Sequence, residues 1–275
     1  MKFRIVLLTN GHEHGWRIVQ GLKEHNIIPE YIVFSRKGLI WWDYTFRNKR
    51  IRPIFQYAMT PFRLLSCMLR SLDPQRCVSR SSTNVIYSGG LNSMRLRRDL
   101  EAISPDFIIL GGIGILSAQI IKTARYGVIN VHPGLLPWAR NVGVVGRSLE
   151  RGIPVGITVH YVDEGVDTGR IIERHLLPIT SNDQSLDELE NKAQRLCANA
   201  MIKIVADVLM KGHIPKGHYQ AEKYPPCTWM NRAEREALNI KIKDGLARDL
   251  YQKWQRYCDG SSETLLSCPL KEDKE

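Results

Sequence analysis

The stretch that decides the fold is Phe107-Ile108-Ile109-Leu110-Gly111-Gly112-Ile113-Gly114-Ile115-Leu116-Ser117, an apolar run that ends in a glycine-rich turn. Four consecutive apolar residues that follow Pro105-Asp106 and end at Gly111 describe a short strand buried on both faces, as in a parallel sheet. A glycine turn at the C-terminal end of such a strand is where an open α/β sheet places its ligand. Glycines there let backbone groups approach a flat molecule without side-chain interference. The turn lacks the Gly-Lys-Ser/Thr of a phosphate loop and the third glycine of the dinucleotide fingerprint, so its ligand stays open at this point.

Working outward, Arg4–Thr9, Tyr31–Phe34, Val85–Tyr87 and Val128–Val131 are further apolar runs of strand length. Trp16–Glu24, Asn92–Ile103 and Ser117–Thr123 carry helical spacing between them, with Asn92 and Ser117 expected as caps. Val142–Arg151 reads as a helix, and Gly156–Tyr161 and Ile171–Leu177 as strands. Leu186–Met210 is a long amphipathic helix with Leu186, Leu189, Ala193, Leu196, Ala200, Ile204 and Val208 on one face. The expected fold is α/β: a Rossmann-like, mainly parallel sheet with helices on both faces, followed by a helical C-terminal extension. Two units are expected: a catalytic domain over residues 1–211 and an extension over 212–275. The extension should hold one helix from Ile242 to about Tyr257 and a disordered polar tail from Asp259.

Strand Val128–Val131 runs into Asn130-Val131-His132-Pro133-Gly134-Leu135-Leu136-Pro137. In extended chain, residues i and i+2 point the same way, so the Asn130 amide and His132 imidazole can converge on one atom. Prolines 133 and 137 stiffen the exit. An amide donor beside an imidazole suits the developing oxyanion of an acyl transfer, although a histidine that merely caps the turn would look the same. A third segment, Val162-Asp163-Glu164-Gly165-Val166-Asp167-Thr168-Gly169, is an acidic turn that lacks the glutamate of a calcium loop. A tight turn here can aim Asp167 inward, where a carboxylate would orient His132 and raise its pKa.

In this order and spacing the three segments resemble the N10-formyltetrahydrofolate-dependent formyltransferases, which include glycinamide ribonucleotide, methionyl-tRNA and amino-sugar formyltransferases. Ile115-Leu116-Ser117, Asn130-Val131-His132-Pro133-Gly134-Leu135-Leu136-Pro137 and Val166-Asp167-Thr168-Gly169 carry the resemblance. It covers residues 85–180 well and 4–24 loosely, and leaves 35–84 and 212–275 unmatched. The resemblance implies that Asn130 and His132 polarise the formyl carbonyl and stabilise the tetrahedral intermediate. Asp167 would hold His132 charged and assist proton movement from the attacking amine. N10-formyltetrahydrofolate would be the cosubstrate, its pterin held by the backbone of Ile113, Gly114, Ile115 and Leu116 and by the loop of Asp163, Glu164, Gly165 and Val166. Two departures stand out: Gly134 replaces the family's usual serine, and Trp138-Ala139-Arg140-Asn141-Val142-Gly143 replaces its frequent Arg-Gly step.

The acceptor is less legible. The turn Asn10-Gly11-His12-Glu13-His14-Gly15 offers His12, Glu13 and His14 as acceptor contacts, with an exposed polar turn as the bland alternative. A formal charge of +11 favours anionic ligands, among them a polyglutamylated folate, a phosphorylated metabolite, a nucleic acid or an acidic membrane. Aromatics interleaved with arginines over residues 35–84 fit nucleic-acid or surface binding, and equally an elaborated crossover packed on the sheet. Residues 212–275 are too few and too helical for the C-terminal barrel usual in methionyl-tRNA enzymes. By elimination the expected acceptor is the primary amine of an anionic small molecule, most often a nucleotide-linked amino sugar. Glycinamide ribonucleotide and methionyl-tRNA are the alternatives, and a noncatalytic folate- or nucleic-acid-binding relative is the alternative from another class. The six cysteines form no C-x-x-C pair and suggest neither zinc nor a disulfide framework. No apolar run reaches membrane-spanning length, so the expected localisation is cytoplasmic, and a homodimer is compatible with everything above.

Overall fold

The computed structural model describes residues 3–11, 13–27, 29–35, 83–220 and 224–258; for Glu13 and residues 256–258 it describes the backbone only. The basic aromatic stretch, His12, the Glu13 side chain and the C-terminal tail singled out above therefore lie outside the described structure. Among the described residues, β1 (Ile5–Thr9), β2 (Tyr31–Ser35), β3 (Asn84–Ser88), β4 (Phe107–Gly111), β5 (Gly127–His132), β6 (Gly156–Tyr161) and β7 (Ile171–Leu176) form one sheet. Its order is β3-β2-β1-β4-β5-β6-β7. The first five strands pair in parallel, while β6 runs antiparallel to both its neighbours. The sequence reversal of order between β1 and β4 creates the crevice that open α/β sheets use for ligands.

Strand parity assigns each side chain to a face. Ile5 and Leu7, Phe107 and Ile109, Ile129 and Val131, and Ile157 and Val159 line one face. There they pack with Ile18 and Leu22 of α1 (Glu13–Glu24) and with Met201 and Val205 of α5 (Leu186–Lys211). Val6, Leu8, Val33, Ile108, Leu110 and Val128 line the other. They meet Leu96, Leu100 and Ile103 of α2 (Met94–Ile103) and Ile120 of the one-turn α3 (Ala118–Ile121). Burying one Leu or Ile in such a layer stabilises the fold by about 1.5–3 kcal/mol, so parity is strongly enforced.

On β5 the second row continues as Val128, Asn130, His132, and on β6 as Thr158, His160. It turns polar where the short α3 ends, whereas the opposite row stays apolar beneath α5. On β5 and β6 the sheet therefore presents polar side chains where this helical cover stops.

Two local expectations change. Ser93, not Asn92, caps α2, accepting the Leu96 N–H at 3.2 Å. Asn92 sits at φ +67° and reaches across to the glycine-rich turn, donating to Ile115 O at 2.9 Å and accepting from Ser117 N at 2.7 Å. Ser117 does cap α3, but without a side-chain hydrogen bond. Among the described residues, the C-terminal part holds two helices rather than one, α6 (Arg232–Lys243) and α7 (Leu246–Cys258), broken at Gly245 with φ +104°. Asn231 and Glu234 close α6 with a reciprocal capping box. Both helices share a core with α4 (Val144–Glu150) and the start of α5, through Val145, Leu149, Leu189, Leu238, Ile242 and Ala247.

Candidate active site

Register builds the centre of the site. Across the β5–β6 pair, Asn130 lies opposite His160 and His132 opposite Thr158. The Asn130 side-chain nitrogen is 3.2 Å from His160 Nε2. His160 Nδ1 lies 2.8 Å from the Tyr161 carbonyl, which can only accept. The proton therefore sits on Nδ1, and Nε2 accepts from the Asn130 amide. That contact fixes which end of the amide faces outward, leaving its second N–H free to donate. Burial holds His160 down to about 4, so this arrangement persists through neutral pH.

His132 is likewise buried, with 4% of its surface exposed. Its Nε2 donates to Ala139 O at 2.9 Å, so only Nδ1 remains toward Asp167, whose Oδ2 is 3.5 Å away. Burial lowers the His132 pKa more than the Asp167 carboxylate and the Ala139 carbonyl raise it. The resting imidazole is thus neutral at pH 7, correcting the expectation that Asp167 keeps it charged. A bare Nδ1 beside a carboxylate is instead prepared to receive a proton.

Asp167 reaches this position because its turn is tightly bound. Asp163 Oδ1 accepts from Gly165 N at 3.1 Å and from the Thr168 hydroxyl at 2.6 Å. Asp167 itself has φ +53°, a left-handed conformation costly for a side-chain-bearing residue. Gln220 holds it there, donating to Asp167 O at 3.0 Å and Gly169 O at 2.7 Å. A Cβ on Gly169 would collide with the Tyr161 carbonyl. Asp167 Oδ2 accepts from Asn141 N at 2.9 Å, and its Oδ1 lies 3.7 Å from His160 Nε2. One carboxylate thus adjoins both histidines.

The loop after β5 is just as constrained. Thr158 Oγ1 donates to Gly134 O at 2.7 Å and accepts from Leu136 N at 3.0 Å, ahead of a cis Leu136–Pro137 bond. A Cβ at Gly134 would lie 2.7 Å from Ala139 O and 3.0 Å from His132 Nε2. The departure at Gly134 therefore accommodates the bond between His132 and Ala139. The loop also joins the C-terminal part: Cys227 N donates to Arg140 O at 2.8 Å, and Asn141 Nδ2 to Cys227 O at 3.0 Å.

Beside Asp167 opens a cavity of about 600 Å³ lined by Arg140, Asn141, Asp163, Gly165, Val166, Thr168 and Pro226. Of the residues expected to hold the pterin, Asp163, Gly165 and Val166 line it, while Glu164 is exposed nearby in the turn. The other set is elsewhere. Leu116 is buried in the core, Ile113 packs partly against it, Gly114 and Ile115 are exposed, and none of the four lines this cavity. Of the acceptor candidates, only His14 has a described side chain. It adjoins Gly112 at the end of β4, where a Cβ would be 3.4 Å from His14 Cβ, and its buried Nδ1 has no hydrogen-bond partner. Burial, with help from Arg17, lowers its pKa to about 4. Among the described residues, no group of three or more His, Cys, Asp or Glu side chains is placed to hold a metal ion. No described helix is long and apolar enough to cross a membrane.

His160 is the site residue that sequence reasoning missed. The available signal was the alternation Ile157-Thr158-Val159-His160-Tyr161, which puts threonine and histidine together on the face shared with Asn130 and His132.

An oriented amide, a buried imidazole and a carboxylate thus meet at the C-terminal edge of an open α/β sheet. Residues 69–205 match the formyl transferase family model. This segment belongs to the formyl transferase family. The chain is 31% identical over 166 residues to the methionyl-tRNA formyltransferase of Syntrophus aciditrophicus, covering 60% of this chain and 49% of that one. It is 40% identical over 93 residues to the phosphoribosylglycinamide formyltransferase of Bacillus subtilis, covering 33% and 47%. The chain thus spans about half the length of these curated relatives. Among solved structures, the glycinamide ribonucleotide transformylase 1 of Symbiobacterium toebii superposes with a TM-score of 0.54 at 18% identity, over 80% of this chain and 93% of that one. A sugar N-formyltransferase from a Shewanella species gives 0.54 at 17% identity, over 86% and 87%. These two likenesses show the fold. Family members use N10-formyltetrahydrofolate as formyl donor.

Proposed function

We propose that this chain transfers the formyl group of N10-formyltetrahydrofolate to the primary amine of a small molecule. The observation that carries the reading is the single Asp167 carboxylate set between His132 and His160, with His160 orienting Asn130. The donor supplies an activated formyl group. The free N–H of Asn130 donates to its carbonyl oxygen as that oxygen gains charge during attack by the amine nitrogen. His132 Nδ1, bare at rest, accepts the proton that the amine loses, and Asp167 stabilises the imidazolium so formed. The protonated Nδ1 then supports the oxyanion until the carbon–N10 bond breaks, after which the proton passes to the departing nitrogen.

The formal charge of +11 favours an anionic acceptor, and we take a nucleotide-linked amino sugar as the acceptor, in the cytoplasm. The sequence relatives named for methionyl-tRNA and phosphoribosylglycinamide favour testing those acceptors beside it. Incubation with 10-formyltetrahydrofolate and a panel of nucleotide amino sugars, glycinamide ribonucleotide and methionyl-tRNA, followed by mass spectrometry, should give one formylated amine and stoichiometric tetrahydrofolate. Formation of formate alone, or of no product with any amine, overturns the assignment.

A further inference from the structure

The resting His132 imidazole carries one proton, and two acceptors compete for it. Ala139 O is 2.9 Å from Nε2, and Asp167 Oδ2 is 3.5 Å from Nδ1. A charged carboxylate is the stronger acceptor of the two, so an unconstrained imidazole would turn its proton toward Asp167. The Nδ1 that receives the amine's proton would then already be occupied. Two contacts oppose that outcome, and both come from one short loop. Ala139 offers its carbonyl to Nε2, and Asn141 donates its N–H to Asp167 Oδ2 at 2.9 Å, which weakens that oxygen as an acceptor.

The loop is held from the C-terminal part, beyond the residues 69–205 that match the family. Arg140 O accepts from Cys227 N at 2.8 Å, and Asn141 Nδ2 donates to Cys227 O at 3.0 Å. Asn141 thus bonds Asp167 through its backbone and Cys227 through its side chain. Its φ of +76° is left-handed, a conformation that asparagine tolerates and most other side chains do not. Glycine would fit that backbone equally well, but would lack the amide that reaches Cys227. The strap of residues 227–229 is anchored in turn. Arg147 of α4 donates to Thr228 O at 3.1 Å and to Trp229 O at 3.3 Å, and Asn231 caps α6. It lies so close to the loop that a Cβ on Gly143 would be 2.7 Å from Thr228 O.

We propose that Asn141 is a positioning residue, through which this strap keeps the His132 proton on Nε2 and leaves Nδ1 bare. Without the tie, the proton leaves Nε2 and arrives at Nδ1 with no change in net charge, and the imidazole no longer accepts from the amine. The effect on rate rests on the formyl-transfer reading above, whereas the tautomer is read without turnover.

Nitrogen-15 NMR of the imidazoles in the full chain tests this, because protonated and bare ring nitrogens give distinct signals. Those of His132 are assigned by their absence in His132→Gln. At pH 7 the parent should show a protonated Nε2 and a bare Nδ1. Asn141→Gly keeps the backbone N–H and the left-handed turn, and removes the bond to Cys227. It should move roughly nine-tenths of the population to the Nδ1 tautomer and lower kcat about 10-fold, since only the remaining fraction is competent. Donor KM should stay at the parent's value. Arg147→Met frees Thr228 O and Trp229 O, and should give a smaller shift in the same direction. It carries the test on the same signals if Asn141→Gly does not fold. An unchanged tautomer in the variant measured overturns the proposal. A higher donor KM at the parent's kcat also overturns it, since Asn141 would then be a ligand contact. A shifted tautomer in a protein that formylates no amine would support control by the strap and sink only the reading of the reaction.

Discussion

Two histidines at the C-terminal edge of the sheet, His14 and His160, are both held by burial at about 4, yet they do different things. His160 sits inside a completed network: its Nδ1 proton goes to Tyr161 O, its Nε2 receives the Asn130 amide, and Asp167 is 3.7 Å away. His14 faces the β1–β4 crevice with a buried Nδ1 that has no partner. One end of the site is finished by the protein itself, and the other offers a polar atom for something else to satisfy. The difference teaches that a lowered histidine pKa marks burial, and that only the hydrogen-bond partners reveal its use.

The strongest way to break the comparison is to attack the finished end. His132→Ala or Asp167→Ala should lower kcat by roughly 100- to 1,000-fold, the range expected for losing oxyanion support or a positioned proton acceptor. Steady-state kinetics with the identified acceptor checks this, and near-normal turnover in either variant would sink the assigned roles. A milder change tests the electrostatics. Since Asp167 raises the His132 pKa, Asp167→Asn should move the His132 titration to still lower pH in imidazole NMR. An upward movement would show that the Asp167 carboxylate does not favour the imidazolium.

Stability against pH sharpens the comparison next. For both His14 and His160 the folded pKa lies below the ordinary 6.5. The unfolded chain therefore binds the proton first, and stability present above pH 6.5 is lost as pH falls toward about 4. Each group contributes on the order of 3 kcal/mol to that loss. His14→Gln and His160→Gln should each flatten the fall, measured by chemical denaturation between pH 7 and 4. A smaller effect then separates them in catalysis. His160→Ala releases the Asn130 amide and should cost kcat about 10-fold, worth one charge-free hydrogen bond in the transition state. His14→Ala should act on KM instead. Equal kcat losses in both would erase the distinction.

The parts of this molecule that were legible in the sequence are those fixed by local pattern. Apolar runs gave the strands, the i, i+2 spacing gave Asn130 and His132, and the glycine-flanked acidic turn gave Asp167. What stayed hidden depends on contacts between distant segments. His160 acquires its role only through the β5–β6 register, and Gly134 only through the approach of Ala139. Helix α6 was missed because just Leu238 and Ile242 are buried along its charged length, while Ile240 is 63% exposed. The charge state of His132 was misjudged because burial, which sequence does not show, outweighs the visible carboxylate.

Asn92 carries the smallest expected effect, and the most diagnostic for the unfinished end. It looked like a helix cap, but its side chain clamps Ile115 O and Ser117 N across the glycine-rich turn. If that turn holds the donor, loosening it should raise the donor's KM and leave kcat nearly unchanged. Asn92→Ala removes both bonds and puts a Cβ-bearing residue without local compensation at φ +67°, costing about 1–2 kcal/mol in total. Asn92→Gly removes the same bonds but tolerates the left-handed backbone, so its stability loss should be smaller while its KM effect is the same. Thermal melts and donor KM for the two variants therefore separate backbone strain from the clamp. If both variants keep the parent's donor KM, the turn from Ile113 to Leu116 does not hold the pterin, and donor recognition falls to the Asp163–Val166 side alone.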